Sequence, residues 1–254
     1  MRSLVSSLKD DAEAGQPLPT VFAQLSEMGV EFRRGMLVLI AAAPGVGKSL
    51  LGVTLAVRAG APSLYLSADT DAYTTSTRIG ALLTGHTIHE VEIKIKNGEL
   101  RDKLSSLDYI RWSFNASMDI NNIVEDVKAF DTMYGAPPEL IVVDNLSNMF
   151  SDEPNPYLAH RHNTEALNIL ARETGACVVV LHHLVGEYEG GDRPPPQSAI
   201  EGKVAKLPGL VLTLFRGKYG DMGVCVVKNR FGPADPGGRM KTYLPSDFQR
   251  VKIG

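Results

Sequence analysis

The chain has 254 residues, of which 44% are apolar and 22% are charged, and its formal net charge at pH 7 is −3. This length suits one α/β domain with short extensions. The slight acidic excess excludes a nucleic-acid polycation, so any contact with nucleic acid must come from a local patch. No apolar run approaches the roughly 20 residues that cross a membrane, and the N-terminus becomes charged too early for a signal peptide.

The chain contains two cysteines, Cys177 and Cys225, and both lie in apolar runs. We expect buried free thiols, which fits a reducing, cytoplasmic location. The sequence shows no cluster of residues with metal-ligand spacing and no internal repeat.

Residues 1–34 are predicted to form an N-terminal helical extension in front of a core domain at residues 35–254. The extension reads as two short helical pieces separated at residues 15–19. The apolar face of the first piece consists of Leu4, Val5 and Leu8. The apolar face of the second consists of Val21, Phe22, Leu25 and Met28. The first piece can pack on a neighbouring subunit or on the chain's own domain, and both alternatives stay open at this point.

Residues 36–51, with the sequence MLVLIAAAPGVGKSLL, read as a buried strand, a turn and the start of a helix. Pro44, Gly45 and Gly47 end the strand and let the chain turn back. The glycines allow backbone N–H groups to point at a polyphosphate, and the helix N-terminus behind them adds a favourable dipole. The segment is therefore predicted to be a phosphate-binding loop.

Two side chains of this loop have specific predicted roles. Lys48 can reach the β- and γ-phosphates of a nucleotide, and the Ser49 hydroxyl can ligate Mg²⁺. The general phosphate-loop motif has glycine where this chain has Ala42. That glycine mainly serves the turn geometry, so alanine can replace it. The residues predicted to cradle the nucleotide are Ala42, Ala43, Pro44, Gly45, Val46, Gly47, Lys48 and Ser49.

Strands and helices alternate after the loop. The further predicted strands are 63–68, 109–114, 139–144, 176–181, 210–215 and 223–228. The predicted helices are 73–83, 91–107 with a break at 97–98, 120–134 behind the capping candidate Asp119, and 158–174 with Gly175 as its stop. Residues 186–202 form a long loop without predicted structure, which is typical of functional or mobile segments. The pattern predicts an α/β fold with a mostly parallel central sheet, helices on both faces and an antiparallel extension formed by the late strands.

Polar side chains follow three of these strands where each strand ends. Asp69 follows the second strand, Asp144 closes the strand 139–144, and His182 and His183 follow the strand 176–181. Ligands of such sheets bind at the carboxyl ends of the strands. We therefore expect these residues beside the phosphate loop, with Asp144 holding Mg²⁺ directly or through water.

From about residue 34 to residue 250, this pattern resembles the RecA-like ATPase domain of DnaB-type replicative helicases. The family has a strand ending in a catalytic Glu, and the similar segment here is Leu64-Tyr-Leu-Ser-Ala-Asp69. Asp144-Asn-Leu occupies the place of the family's Asp-Tyr-Leu, and Val180-Leu-His-His-Leu184 stands where the family has a polar sensor. Lys228-Asn-Arg230-Phe-Gly232 looks like the family's Lys-x-Arg-x-Gly motif.

The resemblance implies roles for residues at three places in the chain. Asp69 would orient the attacking water, with Asp71 as a possible substitute. His182 would sense the γ-phosphate, although the sequence does not separate it from His183, because strand alternation points only one of the two towards the site. Lys228 and Arg230 would reach across a subunit interface to the neighbour's γ-phosphate. A residue supplied in this way implies a homo-oligomer, most simply a hexameric ring.

Three features depart from the family pattern. Asp69 is one methylene shorter than the family's Glu, which changes the reach of the base. The two histidines stand where the family often has Gln, and a double His there also resembles the RepA-type plasmid helicases. The loop 186–202 would line the DNA channel, yet it carries one cation, Arg193, and is a poor attractor for phosphate. Its acidic residues are Glu187, Glu189, Asp192 and Glu201.

The resemblance implies an enzyme that hydrolyses ATP with Mg²⁺ and couples hydrolysis to translocation on single-stranded DNA in DNA replication. A second hypothesis is an ATP-gated loader or recombination accessory protein that assembles on DNA without processive unwinding. A third is a RecA-like recombinase, which would form helical filaments in place of closed rings. Lys203 and Lys206, which flank the loop, are better candidates for DNA contacts than Arg78 or Arg193.

Overall fold

The computed structural model of the chain describes residues 15–254. The first predicted helical piece, with Leu4, Val5 and Leu8, lies outside the described residues. Within residues 15–254, none of the helices combines the length and the apolar composition needed to cross a bilayer. Cys177 and Cys225 are buried free thiols, as predicted.

The main sheet of the described chain has eight strands in the order β3-β2-β4-β5-β1-β6-β7-β8. These strands are β1 Leu37–Ala42, β2 Ser63–Ser67, β3 Ile110–Ser113, β4 Leu140–Asp144, β5 Cys177–His183, β6 Leu210–Arg216, β7 Met222–Asn229 and β8 Lys241–Leu244. A small second sheet pairs β9 Ser246–Asp247 with β10 Lys252–Ile253. The predicted α/β class with a mostly parallel sheet is confirmed.

The predicted antiparallel extension is formed by β7 and β8, which follow the last parallel strand, β6. β6 is parallel to β1, with Leu210 in register with Val38, and only β7 and β8 run antiparallel to their neighbours. The reason is the long connection between β5 and β6, which carries the chain back to the amino edge of the sheet before β6 starts, as a parallel crossover requires.

The helices of the described chain are α1 Ala23–Glu27, α2 Lys48–Ala59, α3 Ala72–Thr84, α4 Ile88–Lys96, α5 Arg101–Ser105, α6 Ile120–Tyr134 and α7 Pro156–Thr174. α2 packs on one face of the sheet, and α6 and α7 pack on the other. Alternation along β5 follows this division, because Leu181 joins the core that contains α2 whereas Val180 joins the core that contains α6 and α7. Strand alternation therefore decides which face each residue near the site reaches.

Side-chain caps set several helix boundaries. The Asp119 carboxylate accepts a hydrogen bond from the Asn122 backbone N–H at 2.8 Å, which begins α6 as predicted. α7 begins two residues earlier than predicted, because Asn155 caps it and Pro156 occupies its first position. It ends at Gly175, which adopts the left-handed conformation (φ +71°).

The described part of the predicted N-terminal extension packs on the chain's own domain. Phe22 and Leu25 are buried in the same apolar core as Val38 of β1. The amide of Asn229, at the end of β7, donates a hydrogen bond to the backbone oxygen of Gly29 at 3.0 Å. The second apolar face therefore packs within the chain, whereas the alternatives posed for the first piece concern residues outside the described range. The domain boundary at residue 34 remains a prediction.

The loop 186–202 has more structure than its sequence predicted. It contains the 3₁₀ turns Gly186–Tyr188 and Gln197–Ala199, and a third, Glu201–Lys206, begins inside it. Ile200 is buried and pairs with Leu184 in an isolated bridge, and the Thr213 hydroxyl donates a hydrogen bond to the backbone oxygen of Pro195 at 2.6 Å. These buried contacts, made by residues far apart in sequence, hold the second half of the loop.

Candidate nucleotide-binding site

The phosphate loop connects β1 to α2 at the carboxyl edge of the sheet. Gly45 and Gly47 have positive φ angles of +76° and +112°, a region that residues with a Cβ rarely occupy. Gly47 is also confined, since a Cβ there would lie 2.8 Å from the Phe248 ring and 2.9 Å from the Met222 methyl group. Position 47 therefore requires glycine both for its φ angle and for its lack of a Cβ. Lys48, the next residue, lies in the first turn of α2.

A pocket of about 300 Å³ opens beside this loop. Its lining includes Lys48, Ser49, Arg78, Arg216 and Phe248. The Arg216 guanidinium donates a hydrogen bond to the backbone oxygen of Gly45 at 2.6 Å and lies 4.8 Å from the centroid of the Phe248 ring. Sequence reasoning missed Arg216 and Phe248, because no local motif marks them. They reach the loop only through the sheet order and the final chain segment.

Asp144 lies beneath the loop and is almost fully buried. The Tyr65 hydroxyl donates a hydrogen bond to its Oδ2 at 3.1 Å. The Asp144 Oδ1 is buried and has no hydrogen-bond partner among residues 15–254. Burial raises the pKa of Asp144, and the neighbouring Ser49 hydroxyl and Lys48 ammonium act in the opposite direction. A buried carboxylate oxygen that the protein leaves unpaired, next to a serine hydroxyl, suits a Mg²⁺ ion.

Tyr65 is a further site residue that no sequence motif marked. Its hydroxyl is buried, and burial followed by the Asp144 charge raises the pKa of this phenol well above its usual value. Gly52 of α2 makes room for it, because a Cβ at Gly52 would lie 3.2 Å from the Tyr65 oxygen. A glycine in the interior of a predicted helix was the available signal for this close approach.

Asp69 lies just beyond β2 and is exposed to solvent. The side-chain amide of Asn145 donates a hydrogen bond of 2.6 Å to its Oδ2. Asn145 is itself fully buried and fixed, because its Oδ1 accepts a hydrogen bond from the Ser147 N–H at 2.9 Å. The exposed carboxylate is thus oriented by a buried partner at the end of the neighbouring strand.

Asp71 has a different position, which disfavours it as a substitute base. Its carboxylate caps α3 by accepting hydrogen bonds from the Thr74 N–H at 2.8 Å and the Thr74 hydroxyl at 3.0 Å. These bonds to the charged form lower the pKa of Asp71. Asp71, and not Asp69, is thus the N-cap residue of α3.

His182 and His183 lie on opposite faces of β5. His182 is fully buried and contacts Ser147 and the ring of His160, and its ring Nε2 lies 3.1 Å from the backbone oxygen of Glu201. Burial and the neighbouring His160 lower its pKa to about 3. By strand alternation, His182 therefore faces α7 and not the α2 side on which the phosphate loop continues.

His183 is partly exposed and shares the Leu181 face of β5, which packs with α2. It is in register with Ala42, the first residue of the phosphate loop. Burial, and then the Lys48 charge, lower its pKa, so His183 is neutral at neutral pH. The geometry thus distinguishes the two histidines that the sequence did not separate, and it favours His183 for contact with a nucleotide.

Lys228 and Arg230 lie at the opposite edge of the sheet from the phosphate loop. The Arg230 N–H donates to the backbone oxygen of Gly209 at 2.8 Å, near the amino end of β6, and its side chain is exposed. The Lys228 ammonium donates to the backbone oxygens of Ala205 and Lys206 at 3.0 and 2.6 Å. Burial, and then the Arg230 charge, lower the pKa of Lys228.

Comparison with known proteins supports the fold and the family. A family model described as AAA domain matches residues 18–186. The Gene 65 protein of Mycobacterium phage L5 is 39% identical over 243 residues, which cover 92% of this chain and 91% of that protein. The Gene 65 protein of Mycobacterium phage D29 is 35% identical over 212 residues, which cover 80% of this chain and 91% of that protein.

Two solved structures are also similar. An ATPase domain superposes with a TM-score of 0.82 at 16% identity, covering 98% of this chain and 95% of the other. A DnaB-like replicative helicase superposes with a TM-score of 0.81 at 16% identity, over 98% of this chain and 64% of the other. At such low identity, these two likenesses establish the fold alone. The predicted resemblance to the RecA-like ATPase domain of DnaB-type helicases is therefore confirmed at the level of the fold.

Proposed function

Because the chain belongs to the AAA-domain family and has the fold of DnaB-like helicase ATPase domains, we propose that it hydrolyses Mg-ATP and moves on single-stranded DNA. The observation that carries the proposal is the unpaired, buried Oδ1 of Asp144 beneath the Lys48–Ser49 turn. A structural carboxylate would be fully hydrogen-bonded, whereas a carboxylate that awaits a cation need not be.

The chain's own groups supply the phosphate site. The backbone N–H groups of the Gly45–Gly47 turn and the Lys48 ammonium bind the β- and γ-phosphates of ATP. Ser49 and Asp144 hold Mg²⁺, and Tyr65 fixes the orientation of the Asp144 carboxylate. When bound, Mg²⁺ neutralises charge on the phosphate oxygens.

Two residues at neighbouring strand ends act on the γ-phosphate side. The Asp69 carboxylate, held by the Asn145 amide, orients the water that attacks the γ-phosphate and accepts its proton. We assign the sensor role to His183 in place of His182, because His183 lies on the α2 face and His182 is bonded on the other.

Arg230 cannot reach the nucleotide of its own chain, because it lies at the amino edge of the sheet and the phosphate loop lies at the carboxyl edge. We propose that it contacts the γ-phosphate bound to a neighbouring subunit, with Lys228 supporting it, and that the subunits form a ring, most simply a hexamer. A guanidinium supplied in this way stabilises transition-state charge by about 10³- to 10⁵-fold in rate.

The proposed DNA contacts are Lys203 and Lys206, both exposed at the end of the acidic loop. The cation within the loop, Arg193, is paired with Glu187 at 3.1 Å and lies 3.7 Å from Asp192. It is therefore a weaker candidate for phosphate contact. The role in DNA replication, like the division into residues 1–34 and 35–254, is part of the same proposal.

The test is ATP hydrolysis by the wild type and Lys48→Ala, each with and without single-stranded DNA. Lys128→Ala is the matched control, because Lys128 is exposed on α6 on the other face of the sheet. We expect DNA to raise a rate that Lys48→Ala abolishes and Lys128→Ala retains. ATP binding without turnover at every DNA concentration would contradict the motor.

ATP binding without turnover would favour the ATP-gated loader or recombination accessory protein. Two features of the chain favour it: the shorter base Asp69 and the acidic loop 186–202 with its paired arginine. Electron microscopy separates the remaining alternative, since a recombinase would form helical filaments on DNA and the proposed helicase closed rings.

A further inference from the structure

Three side chains from separate parts of the chain converge behind β5. They are His160 of α7, His182 of β5 and Glu201 at the start of a 3₁₀ turn, and their candidate ligand atoms all lie within 4.8 Å of one another. No sequence pattern marked this group, because the three residues are separated by about twenty positions each and match no metal-binding spacing. The expectation that the chain has no metal-ligand cluster is therefore corrected by the tertiary structure.

His160 supplies the first independent sign of a ligand. It is more than nine-tenths buried, and its Nδ1 has no hydrogen-bond partner within the described part of the chain, residues 15–254. Gly202 passes close to this atom, since a Cβ there would lie 3.1 Å from Nδ1, and Gly202 has a φ of +69°. The absence of a side chain at Gly202 thus keeps a Cβ away from a buried nitrogen that requires a partner.

His182 is held in an orientation that suits metal binding. Its Nδ1 lies 3.3 Å from the Ser147 hydroxyl, and its Nε2 points at the segment of Glu201, 3.1 Å from that residue's backbone oxygen. Histidine ligands commonly donate the N–H of one ring nitrogen to a fixed acceptor and bind the metal through the other. The Glu201 backbone oxygen can only accept, so it takes the Nε2–H and leaves Nδ1 of His182, on the Ser147 side, as the ligand atom.

We propose that His160, His182 and Glu201 bind one transition-metal ion, with Zn²⁺ as the best fit and water as the fourth ligand. Two imidazoles and one carboxylate form a known zinc ligand set, whereas Mg²⁺ and Ca²⁺ prefer oxygen ligands. Tetrahedral Zn²⁺ requires ligand atoms about 3.4 Å apart. The partly exposed Glu201 side chain can close the remaining gap by rotation.

The ion would join three elements of the fold. It would tie the 3₁₀ turn Glu201–Lys206, which ends the acidic loop, to α7 and to the end of β5. The next residue of β5 is His183, on the nucleotide side. The proposed site joins these elements and does not depend on the proposed ATPase activity.

The test uses the untagged, nucleotide-free chain and Zn²⁺ alone, with equilibrium dialysis and elemental analysis. We expect one tightly bound Zn²⁺ per chain, and affinity at least about tenfold weaker in His160→Ala and Glu201→Gln. His162→Ala is the matched control, because His162 lies on the same helix and is exposed. Substituted Co²⁺ should give the visible bands of a tetrahedral site in the wild type and lose them in Glu201→Gln.

Circular dichroism checks that each variant is folded, and Glu201→Gln carries the test if His160→Ala does not fold. Zn²⁺ affinity that is unchanged in Glu201→Gln, or equally reduced in His162→Ala, would overturn the proposal. So would a wild type that binds no Zn²⁺ at micromolar concentration, since the three side chains would then be a hydrated polar cluster.

Discussion

The Tyr65 hydroxyl donates a hydrogen bond of 3.1 Å to Oδ2 of Asp144 and so joins the neighbouring strands β2 and β4 beneath the phosphate loop. Both side chains are buried, and burial raises the pKa of each. The hydrogen bond fixes one oxygen of the carboxylate while the other remains unpaired. Without a bound cation, this arrangement costs stability, because a buried carboxylate is only partly compensated.

We expect Asp144→Asn to raise the Tm of the nucleotide-free chain at neutral pH. Because the folded pKa of Asp144 lies above the unfolded value, the folded chain binds more protons, and stability falls as pH rises between the two pKa values. Asparagine does not ionise, so Asp144→Asn does not lose stability in this way. The Tm difference between the variant and the wild type should therefore be largest at neutral pH and should shrink as pH is lowered towards about 4. Thermal unfolding across this pH range measures the difference.

The same substitution should lower Mg-dependent ATP hydrolysis by roughly a hundredfold or more, since a metal ligand is lost. Asp131→Asn, an exposed change on α6, serves as the control for charge alone. An equal Tm for Asp144→Asn and the wild type at neutral pH would show that the carboxylate is compensated by the protein.

Asp69→Asn should lower kcat by roughly 10²- to 10⁴-fold while ATP binding is retained, because the amide cannot accept the proton of the attacking water. Asp71→Asn should leave kcat unchanged, since Asp71 caps α3 and asparagine caps helices equally well. Steady-state kinetics and nucleotide binding of the two variants make the comparison. If Asp71→Asn lowers kcat and Asp69→Asn does not, Asp71 would be the base and the assignment of Asp69 would be wrong.

His183→Ala should lower kcat by roughly a hundredfold with little change in Tm, because it removes a donor to the γ-phosphate from a partly exposed position. His182→Ala should instead destabilise the fold by about 1–3 kcal/mol, because it removes a buried hydrogen-bonded ring. For a chain of this size, each kcal/mol shifts Tm by roughly 2–4 °C. The assignment of His183 fails if its alanine variant keeps the wild-type kcat.

Arg230→Ala should lower ATP hydrolysis by about 10³-fold or more, and mixing it with Lys48→Ala should restore part of the activity. In a mixed ring, an Arg230→Ala subunit supplies an intact phosphate loop, and a Lys48→Ala neighbour supplies the arginine. The control is Arg239→Ala, because Arg239 is exposed and forms a salt bridge with Asp235 at 3.9 Å. A mixture as inactive as its two components would argue against a shared site.

Local sequence patterns were sufficient to predict the elements and the motif that they carry. The strand, glycine turn and helix at residues 36–51, the Asp119 cap and the Gly175 stop lie where they were predicted. Each of these features depends on residues within a few positions of one another, through backbone sterics, capping hydrogen bonds and apolar periodicity. Such local terms can be evaluated before the fold is known.

The meeting of distant residues, in contrast, became visible only in the folded chain. The fold places Tyr65 against Asp144, His182 away from the nucleotide and beside His160, and Arg230 at the far edge of the sheet. These relationships depend on strand order, on the face that each strand presents and on a crossover between β5 and β6. A change of one strand neighbour or one residue of register would alter all of them without altering any local pattern.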